Sequence, residues 1–273
     1  MFSEMLAAVR NTVPLIHNIT NYVTVNDCAN ILLACGGSPI MSDDADEVEE
    51  ITSLCAGLVI NIGTLNQRTI PSMLAAGKRA NELRHPVVLD PVGAGASRLR
   101  TDTALRLLRE VRFAVIRGNM SEIRTLALGS GSTRGVDADV ADRVTDENLD
   151  EAAAFVKQFA RETGAVVAVT GAIDIIAGGE RAFCIRNGDS MMSRVTGTGC
   201  QLSAMTGAYV AANPGHTLEA AAAAVCAMGL CGEKARQRMT EQDGNASYRT
   251  YIIDAVCNLT PEELEKGARY DIR

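Results

Sequence analysis

Short, continuously apolar segments alternate along the first two thirds of this chain with longer segments whose apolar residues recur at helical spacing. GLVINIG, PVVLDP, FAVIRGN and AVVAVTG carry successive apolar residues, as expected of central parallel strands that helices cover on both faces. Strands are predicted at Ser38–Met41, Gly57–Ile62, Pro86–Leu89, Phe113–Ile116, Ala165–Thr170, Ile173–Ala177 and Arg181–Arg186. The closeness of the last two indicates an antiparallel hairpin. The pattern predicts one α/β domain over residues 1–273, with a central, mostly parallel sheet and helices on both faces.

Helical patterns fill the spaces between these segments and dominate after residue 200. They are predicted at Thr69–Leu83, Thr101–Val111, Gln201–Ala212, Thr217–Met239 and Tyr248–Asn258. A last helix is expected to begin at Thr260-Pro261-Glu262-Glu263, because an N-cap residue, a proline at the first position and an acid at the third occur in order. The acidic stretch 129–147 has no strand pattern, and its glycine-rich start at 129–135 is predicted to be a surface loop.

Composition narrows the class of protein. With 47% hydrophobic and 22% charged residues the chain is typical of a globular protein, and no apolar run reaches the roughly 18–20 residues that span a bilayer. A net charge of -7 without clusters of lysine or arginine argues against a nucleic-acid partner. The eight cysteines form no C-x-x-C pair, which favours core residues over disulfides or zinc ligands. The start, MFSE, lacks the basic residues of a signal peptide. We therefore expect a cytoplasmic protein with no membrane partner.

The residues that follow the predicted strands indicate where a ligand binds. In sheets of this kind the ligand lies beyond the carboxyl ends of the strands. The residues at those ends are polar or glycine-rich, and they are Met41, Asn61-Ile62-Gly63-Thr64, Asp90–Gly95, Arg117-Gly118-Asn119 and Thr170-Gly171. Such a set suits a phosphorylated ligand.

The segment VTGTGC at Val195–Cys200 is the strongest candidate for binding an anion. Its two glycines let backbone N–H groups converge, and an apolar, alanine-rich helix follows directly. The N-terminus of a helix attracts negative charge. The same field is expected to lower the pKa of Cys200 and favour its thiolate. No Walker A sequence occurs in the chain.

Several of these segments together resemble the ribokinase-like superfamily. They are DPVGAG at Asp90–Gly95, RGNMSE at Arg117–Glu122, VTG at Val169–Gly171 and GTGC at Gly197–Cys200. Most of that superfamily ends the last motif in aspartate. The cysteine in its place, with PLIHNITN at Pro14–Asn21 and GSPIM at Gly37–Met41, is similar to the hydroxyethylthiazole kinases of thiamine salvage. The resemblance covers about residue 5 to about residue 265, and it departs at Asn18, where the family often has a small Ser or Cys.

This resemblance implies a ribokinase-like fold, ATP-dependent phosphorylation of the primary alcohol of 4-methyl-5-(2-hydroxyethyl)thiazole, and a homotrimer with pockets shared between subunits. By matching position, Met41 and Gly197 contact the thiazole, with Asn21 and Asn61 as further candidates. Arg117, Thr170 and Gly199 are expected to bind ATP, Asp90 and Glu122 to hold Mg²⁺, and Cys200 to face the substrate hydroxyl, as a base or as a polar contact. His17 is either a ligand contact or a structural residue.

The residue types fit those roles. Mg²⁺ takes one or two carboxylates together with phosphate oxygens, and a guanidinium offers paired donors to phosphate. A methionine packs well against a small flat ring. Three alternatives remain open: a kinase of the same fold for a hydroxymethylpyrimidine or pyridoxal, a nucleotide-dependent NAD(P)H-hydrate dehydratase, which is expected to carry Asp in place of Cys200, and a non-catalytic ligand-binding or regulatory protein.

Overall fold

A computed structural model describes residues 1–129 and 143–273. Its strands are β1 (Leu15–Ile19), β2 (Ser38–Met41), β3 (Gly57–Asn61), β4 (Val87–Asp90), β5 (Val115–Asn119), β6 (Val166–Thr170), β7 (Asp174–Ala177), β8 (Ala182–Ile185) and β9 (Tyr270–Ile272). In the described residues they form one sheet in the order β2-β1-β3-β4-β5-β6-β7-β8-β9. The pairs from β2 to β6 are parallel, and those from β6 to β9 are antiparallel. The predicted, mostly parallel sheet is confirmed.

Helices cover both faces of this sheet. They are α1 (Phe2–Thr12), α2 (Val25–Cys35), α3 (Val48–Leu54), α4 (Thr69–Leu83), α5 (Arg98–Glu110), α6 (Met120–Leu128), α7 (Leu149–Thr163), α8 (Thr198–Ala212), α9 (Thr217–Arg238), α10 (Asn245–Asn258) and α11 (Pro261–Gly267). The first hydrophobic core packs α1, α2 and α8 to α11 on one face, and the second packs α3 to α7 on the other. Val59 enters the first core, whereas Leu58 and Ile60 enter the second. Burial on both faces explains the continuous apolar pattern of the central strands.

The predicted elements are found with small shifts at their ends. The hairpin of β7 and β8 is confirmed, α4 has the predicted bounds, and a capping box of Thr260 and Glu263 starts α11. The strand predicted at Phe113–Ile116 corresponds to β5, which continues through Asn119. Neither β1 nor β9 was predicted from the sequence. The loop predicted at 129–135 lies, beyond Gly129, outside the described residues, as does the stretch up to residue 142.

The position of β1 opens a crevice at the carboxyl edge of the sheet. From β1 the chain passes to β2 on one side and then to β3 on the other, so the loops after β1 and β3 diverge. β3 and β4 end level, because Asn61 pairs with Asp90, and β5 and β6 end level, because Asn119 pairs with Thr170. The fold therefore brings the predicted strand-end residues to one rim.

No helix within residues 1–129 and 143–273 is both long and apolar enough to cross a membrane.

Candidate active site

Three adjoining cavities lie in a row along the carboxyl edge of the sheet. The Met41 cavity has a volume of about 290 Å³ and is also lined by Asn18, Tyr22 and Met73. The Cys200 cavity, of about 300 Å³, adjoins it, since Thr64 lines both. The third, the Thr170 cavity, has a volume of about 570 Å³ and shares the walls formed by Arg117 and Gly199 with the Cys200 cavity.

Every site residue predicted from the sequence lines this row. Met41 lines the first cavity and Thr170 the third; Arg117 and Gly199 separate the second from the third; Asn21, Asp90, Glu122, Gly197 and Cys200 line the second. Asn21 and Gly197 were expected beside the thiazole with Met41, but they line the Cys200 cavity. The structure therefore brings these residues together at one edge of the sheet, and their roles stay predictions.

Asp90, at the end of β4, is a fully buried carboxylate held on one side only. Its Oδ2 accepts hydrogen bonds from Asn61 Nδ2 and Ser203 Oγ, both at 2.8 Å, and lies 3.5 Å from Arg117 Nη1. Its Oδ1 is buried and accepts no hydrogen bond within the described part of the chain. Burial raises the pKa of Asp90, against the opposing effect of the Arg117 charge.

Ser203 was not predicted as part of the site. A signal for it exists in the sequence, because a residue three positions after Cys200 lies on the same face of a helix.

Glu122 combines a structural role with a place in the site. As the third residue of α6 it closes a capping box with Asn119, and its Oε2 accepts from the Asn119 N–H at 2.8 Å. Its Oε1 accepts from the Gly93 N–H, also at 2.8 Å, which ties α6 to the loop after β4. The pKa of Glu122 is raised, first by burial and then by the nearby negative charge of Asp90. Two close, buried carboxylates favour a bound cation.

The residues present fit a Mg²⁺ ion, although they do not enclose one. In the described segments, no group of three or more His, Cys, Asp or Glu residues is arranged to hold a metal. Mg²⁺ requires fewer protein ligands than that, because it keeps several waters and binds phosphate oxygens. The unpartnered Oδ1 of Asp90 is the atom best placed to accept from such a water or to face the ion.

Arg117 forms the partition between the Cys200 and Thr170 cavities. Its Nη2 donates to Thr170 Oγ1 at 2.7 Å, which fixes the plane of the guanidinium. The side chain is only 12% exposed, and its Nε donates to no acceptor in residues 1–129 or 143–273. Gly199 lies directly against this group: a Cβ there would be 2.6 Å from Arg117 Nη1. The absence of a side chain at Gly199 therefore lets the guanidinium reach both cavities.

The first turn of α8 points into the Cys200 cavity. Gly197 is the N-cap with φ of 89°, a left-handed conformation that favours glycine, and a Cβ there would lie 2.4 Å from Thr24 Cγ2. The N–H groups of Thr198, Gly199 and Cys200 precede the first intrahelical donor, the Gln201 N–H, which donates to the Gly197 carbonyl. They therefore have no intrahelical acceptor and can bind an anion. The predicted anion-binding helix start is thus present in the fold.

The predicted lowering of the Cys200 pKa is wrong. Burial of the thiol, followed by the negative charge of Asp90, raises its pKa above the ordinary value. Hydrogen bonds from Thr24 and Asn21 and the positive charge of Arg117 act in the opposite direction but do not outweigh burial. The sequence shows the helix start but not how far the sulfur is removed from water.

His17 is a structural residue. It is fully buried in β1, its Nε2 lies 2.9 Å from the Ser42 carbonyl, and its Nδ1 lies 2.9 Å from Thr52 Oγ1. Because a carbonyl can only accept, Nε2 carries the proton and Nδ1 accepts from the threonine hydroxyl. Both ring nitrogens are therefore engaged by the protein, and burial lowers the pKa of His17, which keeps the ring neutral.

Known proteins resemble this chain in sequence and in fold. Hydroxyethylthiazole kinase of Clostridium acetobutylicum is 65% identical over 271 residues, which cover 99% of each chain. The solved structure of hydroxyethylthiazole kinase protein from Pyrococcus horikoshii OT3 superposes with a TM-score of 0.88 at 37% identity, covering 100% of this chain and 98% of that one. Pyridoxal kinase of Bacillus subtilis, at 18% identity and a TM-score of 0.57 over 81% of this chain and 91% of its own, shares the fold alone.

The sheet, the helix start at Gly197 and the row of cavities define a ribokinase-like small-molecule kinase. Residues 6–262 match the model of the hydroxyethylthiazole kinase family. The chain belongs to that family, which supplies the kinase of thiamine salvage, and the enzyme class predicted from the sequence is confirmed.

Proposed function

We propose that this kinase transfers the γ-phosphoryl group of ATP to the primary hydroxyl of 4-methyl-5-(2-hydroxyethyl)thiazole. The observation that carries the proposal is the position of the Cys200 cavity between the other two. A ring in the Met41 cavity can extend its hydroxyethyl arm past Thr64 to Cys200, and a nucleotide in the Thr170 cavity can extend its phosphates past Arg117 to the same point. Family membership supports this choice of substrate.

In the Met41 cavity, Met41 and Met73 supply polarisable apolar contacts to the ring. Gly197, in the neighbouring cavity, leaves room for the arm beside the helix start. Asn21 is a less direct contact than the sequence suggested, because its amide nitrogen donates to Asn61 at 3.1 Å and to Cys200 at 3.2 Å.

On the nucleotide side, Arg117 and Thr170 bind phosphate oxygens, and the N–H groups of the first turn of α8 donate to oxygens of the phosphoryl group in transfer. Asp90 and Glu122 would hold Mg²⁺, which would supply charge neutralisation for the phosphates when bound. The substrate oxygen forms a bond to the γ-phosphorus while the bond from that phosphorus to the ADP oxygen breaks. The hydroxyl proton passes to the Cys200 sulfur when the sulfur is a thiolate. Because such transition states are loose, proton transfer contributes less than positioning and charge stabilisation do.

The substrate assignment is tested by measuring ADP release from purified protein with Mg-ATP and four acceptors: the thiazole alcohol, hydroxymethylpyrimidine, pyridoxal and hydrated NADH. We expect the thiazole alcohol to be phosphorylated far better than the others. An equal or greater rate with hydroxymethylpyrimidine or pyridoxal would contradict the proposal, and ATP-dependent dehydration of NADH hydrate would place the chain with the lyases.

We also propose a homotrimer whose Met41 cavities are closed by neighbouring subunits. Tyr22, on the rim of this cavity, is 79% exposed, and the adjacent Val23 is 58% exposed. Adjacent exposed apolar side chains are typical of surfaces that meet a partner.

We further propose a single domain over 1–273, which the continuous sheet supports. A location in the cytoplasm is proposed because the eight cysteines form no disulfide.

A further inference from the structure

Asn61, expected from the sequence as a further thiazole contact, lines the Met41 cavity, and its carboxamide also connects Asp90 with Cys200. Its Nδ2 donates to Asp90 Oδ2 at 2.8 Å and to Cys200 Sγ at 3.3 Å. Its Oδ1 accepts from the Gly63 N–H at 2.9 Å. A backbone N–H can only donate and an ionised carboxylate can only accept, so the orientation of this amide is fixed at both ends.

The amide of Asn21 is fixed in the same way. Its Oδ1 accepts from the backbone N–H groups of Val23 and Thr24, at 3.1 and 3.2 Å, at the start of α2. Its Nδ2 must therefore point the other way, where it donates to Asn61 Oδ1 and to Cys200 Sγ. Cys200 thus receives N–H donors from two amides, neither of which can rotate without breaking backbone hydrogen bonds.

We propose that Asn21 and Asn61 are positioning residues that form a two-amide clamp on Cys200, holding its sulfur as a hydrogen-bond acceptor toward the substrate hydroxyl. With two N–H groups on the sulfur, the S–H bond or the remaining lone pair is directed away from both amides and into the Cys200 cavity. The clamp also favours the thiolate, because hydrogen bonds donated to a charged form stabilise it. This deepens the proposed function, on which its catalytic meaning rests.

Other charged and polar groups around the sulfur also change the pKa of Cys200, some raising it and some lowering it. Asp90 on β4 disfavours the thiolate, and Arg117 on β5 favours it. At the N-cap of α2, the Thr24 hydroxyl donates to Asn21 Oδ1 and also favours the thiolate. The neighbouring Cys28 thiol stays protonated because burial raises its pKa to about 12. The negative charge of Asp90 is therefore the main charge that disfavours the thiolate, and the two amides counteract its effect.

The test measures the thiol itself and needs no kinase activity. In a Cys257→Ser background, which removes the exposed cysteine, the rate of alkylation by iodoacetamide at Cys200 is followed by peptide mass spectrometry as a function of pH. Asn61→Ala and Asn21→Ser each remove one donor, and each is expected to raise the apparent pKa of Cys200 by about half a unit to one unit. A Cys200→Ser variant identifies the peptide.

Ser203→Ala is the matched control, because Ser203 donates to the same oxygen of Asp90 but not to the sulfur. We expect its apparent Cys200 pKa to stay within about 0.3 unit of the parent. The proposal is overturned if neither clamp variant moves the pKa, or if Ser203→Ala moves it equally, which would place the effect in Asp90. Circular dichroism checks folding, and Asn21→Ser carries the test if Asn61→Ala does not fold.

Kinetics then connect the clamp to the reaction. In the Cys200→Ala background, Asn21→Ser should no longer reduce kcat, whereas in the parent it should reduce kcat about tenfold with little change in KM for ATP. If Asn21→Ser reduces kcat equally in the Cys200→Ala background, Asn21 acts through a group other than the Cys200 sulfur. If the protein phosphorylates no thiazole alcohol at all, the proposed function fails, while the alkylation profiles still decide whether the clamp exists.

Discussion

The Met41 cavity and the Thr170 cavity differ in how far one chain builds them. In the Thr170 cavity the main polar side chain, Arg117, is 12% exposed and is held by Thr170. On the rim of the Met41 cavity, by contrast, Tyr22 is 79% exposed. If the proposed assignments hold, the nucleotide is recognised by groups that their own chain fixes in place, whereas the ring is recognised partly by a surface that a neighbouring subunit completes. Substitutions in the two cavities should therefore separate the two substrates kinetically.

The largest effect on kcat is expected in the Cys200 cavity, which lies between the other two. Cys200→Ala should lower kcat by about 10²- to 10⁴-fold, the usual contribution of general-base catalysis, and should leave some activity because the helix start remains. Cys200→Asp should stay active, since a carboxylate is ionised at neutral pH and can accept from both amides of the clamp. Because the pKa of Cys200 is raised, kcat of the parent should still rise above neutral pH, and this rise should be missing in Cys200→Asp.

Steady-state rates across pH, with ATP binding measured separately, check this prediction. An inactive Cys200→Asp variant that folds and binds ATP would refute the base role, and a phosphorylated cysteine would indicate covalent catalysis.

The next effect concerns the nucleotide side. Gly199→Ala places a methyl group 2.6 Å from Arg117 Nη1 and should displace the guanidinium. Overpacking of this kind costs about 1–3 kcal/mol, so kcat/KM for ATP should fall about tenfold to a hundredfold, with KM for the thiazole alcohol nearly unchanged. Gly244→Ala, where a Cβ meets nothing within 4 Å and φ is -120°, is the control. Equal losses for both substrates would show that Gly199 does not separate the two cavities.

Two methionines provide the reciprocal comparison. Met41→Ala should raise KM for the thiazole alcohol about tenfold, because the ring loses apolar contacts, and should leave KM for ATP alone. Met192→Ala removes the same atoms from the wall of the Thr170 cavity and should do the opposite. Initial rates with each substrate varied in turn decide the outcome. If both variants shift the same KM, the assignment of the cavities is wrong.

The smallest kinetic effect is expected at the surface. Sedimentation should give a mass near three chains, and Tyr22→Asp should weaken that assembly because it buries a charge at the contact. KM for the thiazole alcohol should then rise a few fold, and more at low protein concentration, while KM for ATP stays the same. Leu128→Asp, at a leucine that is 70% exposed, serves as the control. A fully active monomer would contradict the shared pocket.

The sequence predicted the parts of this site that depend on local pattern. Asp90 follows a buried apolar run, and Gly197 precedes an apolar helix, so both positions could be placed at the carboxyl edge from strand and helix signals alone. The strand β1 escaped prediction because His17 and Asn18 interrupt its apolar residues, and the partners that make His17 tolerable, Thr52 and Ser42, lie far along the chain.

Energetic properties were harder to predict than positions. The hydrogen bonds from Asn61 to Asp90 and Cys200 join residues up to 139 positions apart, and no spacing in the sequence predicts them. The direction of the Cys200 pKa failed for a related reason, since burial of a sulfur is a property of the assembled fold.

The order of the site residues along the chain also determines when the site can form during synthesis. The clamp and the Asp90 network need Asn21, Asn61, Asp90 and Ser203 together, and the last of these lies on α8, past two thirds of the chain. A nascent chain that has emerged from the ribosome only as far as β8 carries the Met41 side of the crevice but no helix start to bind phosphate. The helix start that we propose to bind phosphate forms only after α8 has docked, so ATP held there would stabilise the nearly complete kinase but not the earlier stages of its folding.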